Sequence, residues 1–242
     1  YDLSSLVHVI HGAAPCPPEA KKRMIEWWGD VIFEYYGSTE AGIVTVVNSV
    51  DWMTKPGTVG RPLDGTTVRI YDDDANILST GESGEIYMTM NDLSDFTYHN
   101  KDDKRAEIER DGMVTNGDVG YVDEDGYVFL NDRKRDMIIS GGVNIYPAEI
   151  EAALQDMPGV QDCAVFGIPH EDFGESIAAA IEPQPGASLT PEGVKEYLKL
   201  HISAYKVPRE VTFHDAMPRE DTGKIFKRKL RQPYWDEAGR QI

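Results

Sequence analysis

The spacing of apolar residues changes twice along this chain and divides it into three stretches. Residues 3–10, LSSLVHVI, end in a β-branched apolar run and stop at HGAAPCPP, a loop punctuated by glycine and proline. EAKKRMIEWW follows with apolar residues at helical spacing, and Gly29 stands where a helix would stop. VIFEYY then reads as a buried strand that runs into the loop GSTEAG. A strand–helix–strand order over residues 1–55 predicts an α/β layer.

Over residues 56–132 the pattern shortens to strands separated by turn residues. TTVRIYD alternates, GESGEIYM turns and re-enters a strand, and YVDEDGYVFL reads as a hairpin turning at Asp125-Gly126. The stretch predicts a small, distorted, β-barrel-like subdomain. Asp72, Asp73 and Asp74 lack the further oxygen ligands at set intervals that a calcium loop needs, so they predict a solvated turn.

Residues 133–242 predict a small α+β domain. Pro147 occupies a favoured first helical position before AEIEAALQDM, and Pro158-Gly159 stops that helix. VQDCAVFGI and ESIAAAIEP read as strands, and Thr190-Pro191 caps and opens a helix over EGVKEYLKLHI. EVTFH predicts a short strand, and a basic helix is expected from Gly223 onward, opened by Lys224.

Composition narrows the class of partner. With 242 residues, 40% of them hydrophobic, the chain is long enough for two cores and is not generally disordered. No segment approaches the roughly eighteen uninterrupted apolar residues of a membrane helix. A net charge of −18 argues against nucleic acid or an anionic membrane as main partner, but not against a local basic site for a phosphorylated ligand. Cys16 and Cys163 stand far apart, outside metal-ligand spacing, and read as buried apolar filler in a reducing cytoplasm. The chain opens at Tyr1 rather than methionine, so it is expected to be a piece of something longer.

Four local stretches could carry chemistry. In YYGSTEAG, residues 35–42, a glycine permits close backbone approach, a threonine hydroxyl suits a phosphate oxygen, and a glutamate suits Mg²⁺; an ordinary strand-to-loop turn is the alternative. In VTNGDVGYVDEDG, Asp118 is read in a turn, where it could take both ribose hydroxyls or merely support that turn. DRKRDMIISGGVNIYPAEIE, residues 132–151, sets a charged cluster before Gly141-Gly142, a backbone passage for a narrow ligand or else a plain linker. MPREDTGKIFKRKLR, residues 217–231, concentrates positive charge around Lys224 in an acidic chain, either for a phosphorylated ligand or simply solvated.

Taken in order, GAAP, YYGSTE, GESGEIYM, NGDVG, DRKRDMIISGGVNIYPAEIE, SAYKVP and PREDTGK resemble the C-terminal half of the AMP-forming acyl-CoA synthetases. These belong to the adenylate-forming superfamily, with luciferases and peptide-synthetase adenylation domains. The resemblance covers essentially the whole chain. It implies a truncated adenylate-forming fold, with residues 1–132 from the large AMP-binding domain and 133–242 as its small mobile C-terminal domain.

The resemblance also implies roles. Adenine would lie between the Gly12, Ala13, Ala14 and Pro15 backbone and the ring of Tyr36, beside Gly37. Thr39 would contact the AMP phosphate and Glu40 would help hold Mg²⁺. Asp118 would bind the ribose, with Arg133 in the same region. Lys224 would bridge carboxylate and phosphate oxygens as an acyl-adenylate forms. Arg135 would be the pivot, a position more usually lysine or aspartate, and Gly141 and Gly142 would line the coenzyme A path. The implied substrates are ATP, coenzyme A and a carboxylic acid, medium- or long-chain fatty acid ahead of aryl or steroid-like acids. A luciferase-like enzyme and a non-catalytic nucleotide- or CoA-binding homologue are the alternatives. The Ser/Thr/Gly-rich phosphate loop of the first half of such enzymes is absent from this sequence, so the isolated chain is expected to be inactive.

Overall fold

The computed structural model describes residues 1–14, 16–221 and 223–239. It divides into two compact units, Tyr1–Lys134 and Arg135–Ile242. The break falls two residues later than the sequence pattern suggested. Arg133 is the last residue of a strand paired with Asp118, so backbone hydrogen bonding keeps it in the first unit.

The first unit opens with β1 (Val9–Gly12), α1 (Pro18–Trp28) and β2 (Ile32–Ser38), the two strands parallel with Gly12 opposite Tyr35. Proline at its start and Gly29 at its end bound α1; the Gly29 N–H donates to the Ile25 carbonyl at 2.8 Å. β3 (Gly42–Asn48) returns antiparallel to β2 and leads into α2 (Ser49–Thr54), capped by the Asn48 side chain accepting from Asp51 N–H. Ile25, Ile32, Val47 and Trp52 form the core these elements share.

The remaining elements are β4 (Thr58–Pro62), β5 (Thr66–Tyr71), β6 (Gly84–Met90), α3 (Asp102–Glu107), β7 (Glu109–Arg110), β8 (Met113–Val122) and β9 (Val128–Arg133). The α/β layer and the β subdomain share one nine-stranded sheet, ordered β1-β2-β3-β4-β9-β8-β6-β5 with β7 beside β8. Register shifts in the β2–β3, β4–β9, β6–β8 and β8–β9 ladders bend this sheet, since a bulge kinks its strand and increases twist. The expected hairpin turn forms between β8 and β9: Asp123 N–H donates to the Tyr127 carbonyl at 2.9 Å, with Gly126 at φ +82°. Asp72 turns back onto Asn76, and the acidic triplet builds no metal cluster with other described residues.

The second unit carries β10 (Ile138–Ser140), β11 (Val143–Ile145), α4 (Pro147–Gln155), β12 (Val160–His170), β13 (Gly174–Pro183), α5 (Pro191–His201), β14 (Glu210–Phe213) and α6 (Lys227–Glu237). Its sheet runs β11-β10-β13-β12, with β14 parallel to β13. Helices cover both faces of the central pair. Cys163, Val165, Ile177 and Ile181 join the cluster that holds Ile150, Leu154 and Leu198 of α4 and α5, while Ala164, Phe166 and Ala180 face Met217 and Leu230. Burial on both sides explains why these strands read as continuous apolar runs rather than alternating ones. Leu154 is fully buried, so its truncation to alanine should cost about 2–5 kcal/mol.

Pro147 begins α4, and the Thr190 hydroxyl caps α5 by accepting from Gly193 N–H, as local signals predict. The basic helix starts later than expected, at Lys227 rather than at Lys224. Among the described residues no helix is long and apolar enough to cross a membrane.

Candidate active site

The ends of β1, β2 and β9 and the middle of β8 carry the first unit's candidate residues, and of these the structure joins Tyr36, Asp118 and Arg133. Gly12 ends β1 directly beside Tyr35, where a Cβ would stand 2.6 Å from the Tyr35 ring and 2.7 Å from its carbonyl oxygen. Only glycine fits that approach. Ala13 then takes a left-handed conformation, φ +63°, which costs a non-glycine residue energy and clusters at ligand sites. Ala14 is exposed, and Pro15 lies outside the described residues.

On β2, Tyr36 points to the opposite side from Tyr35 and is only 7% exposed. Gly37 sits at the register shift that follows it. Thr39 and Glu40 occupy the tight turn into β3, where the Ser38 hydroxyl accepts from Glu40 N–H at 3.1 Å and Ala41 N–H at 3.0 Å. Thr39 is exposed; Glu40 is half-buried, with Oε1 accepting from the Tyr98 phenol at 2.8 Å. Among the described residues no three His, Cys, Asp or Glu side chains gather as a metal cage. Glu40 offers a half-buried carboxylate, and one carboxylate together with substrate phosphates is a donor set that Mg²⁺ commonly takes.

Asp118 lies within β8, not in a turn as its glycine-flanked sequence suggested. Gly117, at φ +75°, and a register shift at Val119–Gly120 absorb the irregularity while the strand continues. Asp118 pairs across the ladder with Arg133, whose Nε lies 3.4 Å from Oδ1, while the Tyr36 phenol donates to Oδ2 at 2.9 Å. Burial, then the Asp118 charge and hydrogen bond, push the Tyr36 hydroxyl well above the ordinary tyrosine range, so it stays a donor. The Tyr36–Asp118 link was invisible in sequence.

One supporting feature also escaped sequence reading. Lys21 of α1 is buried, 1% exposed, and ion-paired with Glu34 of β2, with its ammonium 4.7 Å from the Trp52 ring centre. Its place on an apolar helix face was the one available signal.

Arg135, Gly141, Gly142 and Lys224 belong to the second unit. Arg135 is largely exposed within a single 3₁₀ turn over Lys134–Asp136. Gly141 (φ +59°) and Gly142 (φ +82°) form the two-residue turn between β10 and β11, where two positive φ angles match the twist of the hairpin. Lys224 lies in a hairpin: Glu220 N–H donates to its carbonyl at 2.8 Å, and Arg219 bridges Ile225 antiparallel. Those backbone bonds are what delay α6 to Lys227.

Residues 1–94 match the AMP-binding enzyme family, and residues 149–224 match the AMP-binding enzyme C-terminal domain. The long-chain-fatty-acid–CoA ligase of Bacillus subtilis (strain 168) is 36% identical over 95% of this chain and 41% of its own length. The feruloyl-CoA synthase of an Amycolatopsis species is 38% identical over 96% of this chain and 47% of its own. The crystal structure of ATP-bound MatB from Rhodopseudomonas palustris superposes with a TM-score of 0.86 at 33% identity, covering 95% of this chain and 46% of that one. The chain spans less than half the length of these relatives.

Proposed function

This chain belongs to the AMP-binding enzyme family and has the adenylate-forming fold, and we propose that it is the C-terminal part of an acid–CoA ligase. The observation that carries the reading is the Asp118 carboxylate, held by Tyr36 on one oxygen and Arg133 on the other. A fixed carboxylate of that kind suits the two vicinal hydroxyls of a ribose.

The proposed reaction has two steps. A carboxylate is a poor acyl donor because oxide is a poor leaving group. Attack of the acid's oxygen on the α-phosphorus of ATP breaks the α–β phosphoanhydride bond, releasing pyrophosphate and leaving an acyl-adenylate. The CoA thiol then attacks the acyl carbon, and AMP departs with the bonding pair. In this reading the Gly12–Ala14 backbone and the Tyr36 ring contain the adenine, and Asp118 and Arg133 orient the ribose. Thr39 donates to the α-phosphate, and Lys224 balances the negative charge gathered between carboxylate and phosphate. Glu40 would hold Mg²⁺, which when bound neutralises phosphate charge.

Lys224 serves the first step only. The second unit therefore reorients about Arg135 between steps, bringing the Gly141-Gly142 turn to the thiol path. Arginine keeps the charge of the lysine more usual at a pivot. The acid is proposed as a medium- or long-chain fatty acid, in keeping with the Bacillus relative, with aryl acids second because of the feruloyl-CoA synthase. The proposed setting is cytoplasmic.

Alone, the chain is proposed to lack activity, since no Ser/Thr/Gly-rich phosphate loop occurs in its sequence. The test compares the isolated chain with the full-length enzyme, supplied with ATP, Mg²⁺, CoA and a panel of acids. Acid- and CoA-dependent AMP release by the full-length enzyme alone is the expected result. Release by the isolated chain would overturn the inactivity, and no release by either would favour a non-catalytic nucleotide-binding homologue.

A further inference from the structure

Asp162 of β12 and Glu182 of β13 are cross-strand partners on one rung of the second unit's sheet. Two carboxylates placed directly opposite repel each other, so such a rung is unfavourable unless each has a donor. Each has one donor from β12 itself, Gln161 for Glu182 and the Cys163 N–H for Asp162, and one from the hairpin that carries Lys224. Glu182, 8% exposed, accepts the Met217 N–H at 2.8 Å through Oε2, and its Oε1 accepts from Gln161 at 2.8 Å. Asp162 accepts from Arg219 Nη2 at 2.5 Å, and Nη1 of the same guanidinium donates to the Gly223 carbonyl at 3.0 Å. One planar fork thus joins strand β12 to the residue immediately before Lys224.

The hairpin's own backbone bonds set its shape, but not its place on the sheet. Phe226 N–H donates to the Pro218 carbonyl at 2.7 Å and Gly223 N–H to the Glu220 carbonyl at 2.8 Å, both internal to the hairpin. The two carboxylates supply its polar attachments to the sheet, one at the base through Met217 and one near the tip through Arg219, alongside the apolar packing of Met217 and Ile225 against Ala164, Phe166 and Ala180. A register shift between Val160 and Asp162 lies at the same rung. We propose that the Asp162–Glu182 rung is a clamp that positions the Lys224 hairpin, with Arg219 the positioning residue through which Asp162 acts. This rests on the reading of Lys224 as the adenylation lysine. A lysine on a long flexible stem is useful at a transition state only if its backbone origin is fixed.

The test uses the full-length enzyme and separates the half-reactions: ATP–pyrophosphate exchange for adenylation, and thioester formation from supplied acyl-adenylate for the second step. Arg219→Ala and Asp162→Ala should each slow exchange about 10-fold or more, while changing thioester formation by less than about twofold. The double variant should be no slower than either single one, because both break the same tether. Arg219→Lys should recover part of the exchange rate, which general destabilisation would not allow. Glu182→Gln, which keeps an acceptor for Met217, should fold and show a milder loss of exchange. Unchanged exchange in Arg219→Ala, or equal loss in both half-reactions, would overturn the clamp. Lys224→Ala separates the two readings. If it abolishes exchange while Arg219→Ala does not, only the clamp fails; if exchange survives without Lys224, the reading of Lys224 fails and the clamp falls with it.

Discussion

The phenol of Tyr36 donates a 2.9 Å hydrogen bond to Asp118, across 82 residues of sequence, and Arg133 meets the other oxygen of the same carboxylate at 3.4 Å. The proposed ribose acceptor is therefore held by two side chains from two different strands. In the full-length enzyme, Tyr36→Phe keeps the ring and removes one hydrogen bond, so KM for ATP should rise about 3- to 10-fold. Asp118→Ala should raise it about 100-fold, because a charged acceptor is lost. Steady-state ATP titration checks both, and equal KM for Asp118→Ala and the parent enzyme would remove Asp118 from the nucleotide site.

The buried pair Lys21–Glu34 predicts an asymmetric response to mutation. Burial pulls the Lys21 pKa down, and the hydrogen bond and charge of Glu34 oppose that shift. Removing one partner, as in Glu34→Leu, should destabilise the chain by about 3–5 kcal/mol, whereas Lys21→Met with Glu34→Leu should recover much of that loss. Urea unfolding of the two singles and the double measures the coupling.

Much of the fold was legible in sequence because its signals are local. Pro147 and Thr190 mark helix starts, and Asp125-Gly126 marks the β8–β9 turn, each through chemistry within a few residues. β3 has no place in the sequence pattern, since its apolar run follows directly on the GSTEAG turn with no further punctuation to set it apart. Asp118 was misplaced in a turn because glycines flank it, and only the pairing with β9 shows that the strand continues. The helix begins at Lys227 and not at Lys224 because basic residues run back from α6 into a hairpin closed by its own backbone bonds, Glu220 to Lys224 and Phe226 to Pro218, which the run of positive charge hides. The site residues were recognisable as motifs, but the bond that joins Tyr36 to Asp118 has no local signature.

Cys163 is buried in the second unit's core, and burial holds its thiol well above the ordinary value of 9.0. A raised folded pKa means that its contribution to stability is complete below the unfolded pKa and declines as pH rises past it. The urea midpoint should therefore fall as pH rises beyond about 9, and Cys163→Ala should flatten that slope. Iodoacetamide should label Cys163 at pH 8.5 only after unfolding. Rapid labelling of the native chain at Cys163 would contradict this placement.

Arg135 sits exposed at the first position of the second unit, within a 3₁₀ turn. Proline there would restrict the backbone about which reorientation is proposed. Arg135→Pro in the full-length enzyme should slow thioester formation about 10-fold or more while sparing ATP–pyrophosphate exchange. Equal loss in both half-reactions would make residues 132–136 a linker and no more.

The most direct measurement follows oxygen from the acid. Full-length enzyme would be given a carboxylic acid labelled with ¹⁸O in both carboxylate oxygens, together with ATP, Mg²⁺ and CoA, and the products analysed by mass spectrometry. Attack of the carboxylate on the α-phosphorus transfers one labelled oxygen to the phosphate of AMP and leaves the other in the thioester, with unlabelled pyrophosphate. That distribution is the predicted result. Label in inorganic phosphate alongside ADP, or AMP formed without label, would contradict it.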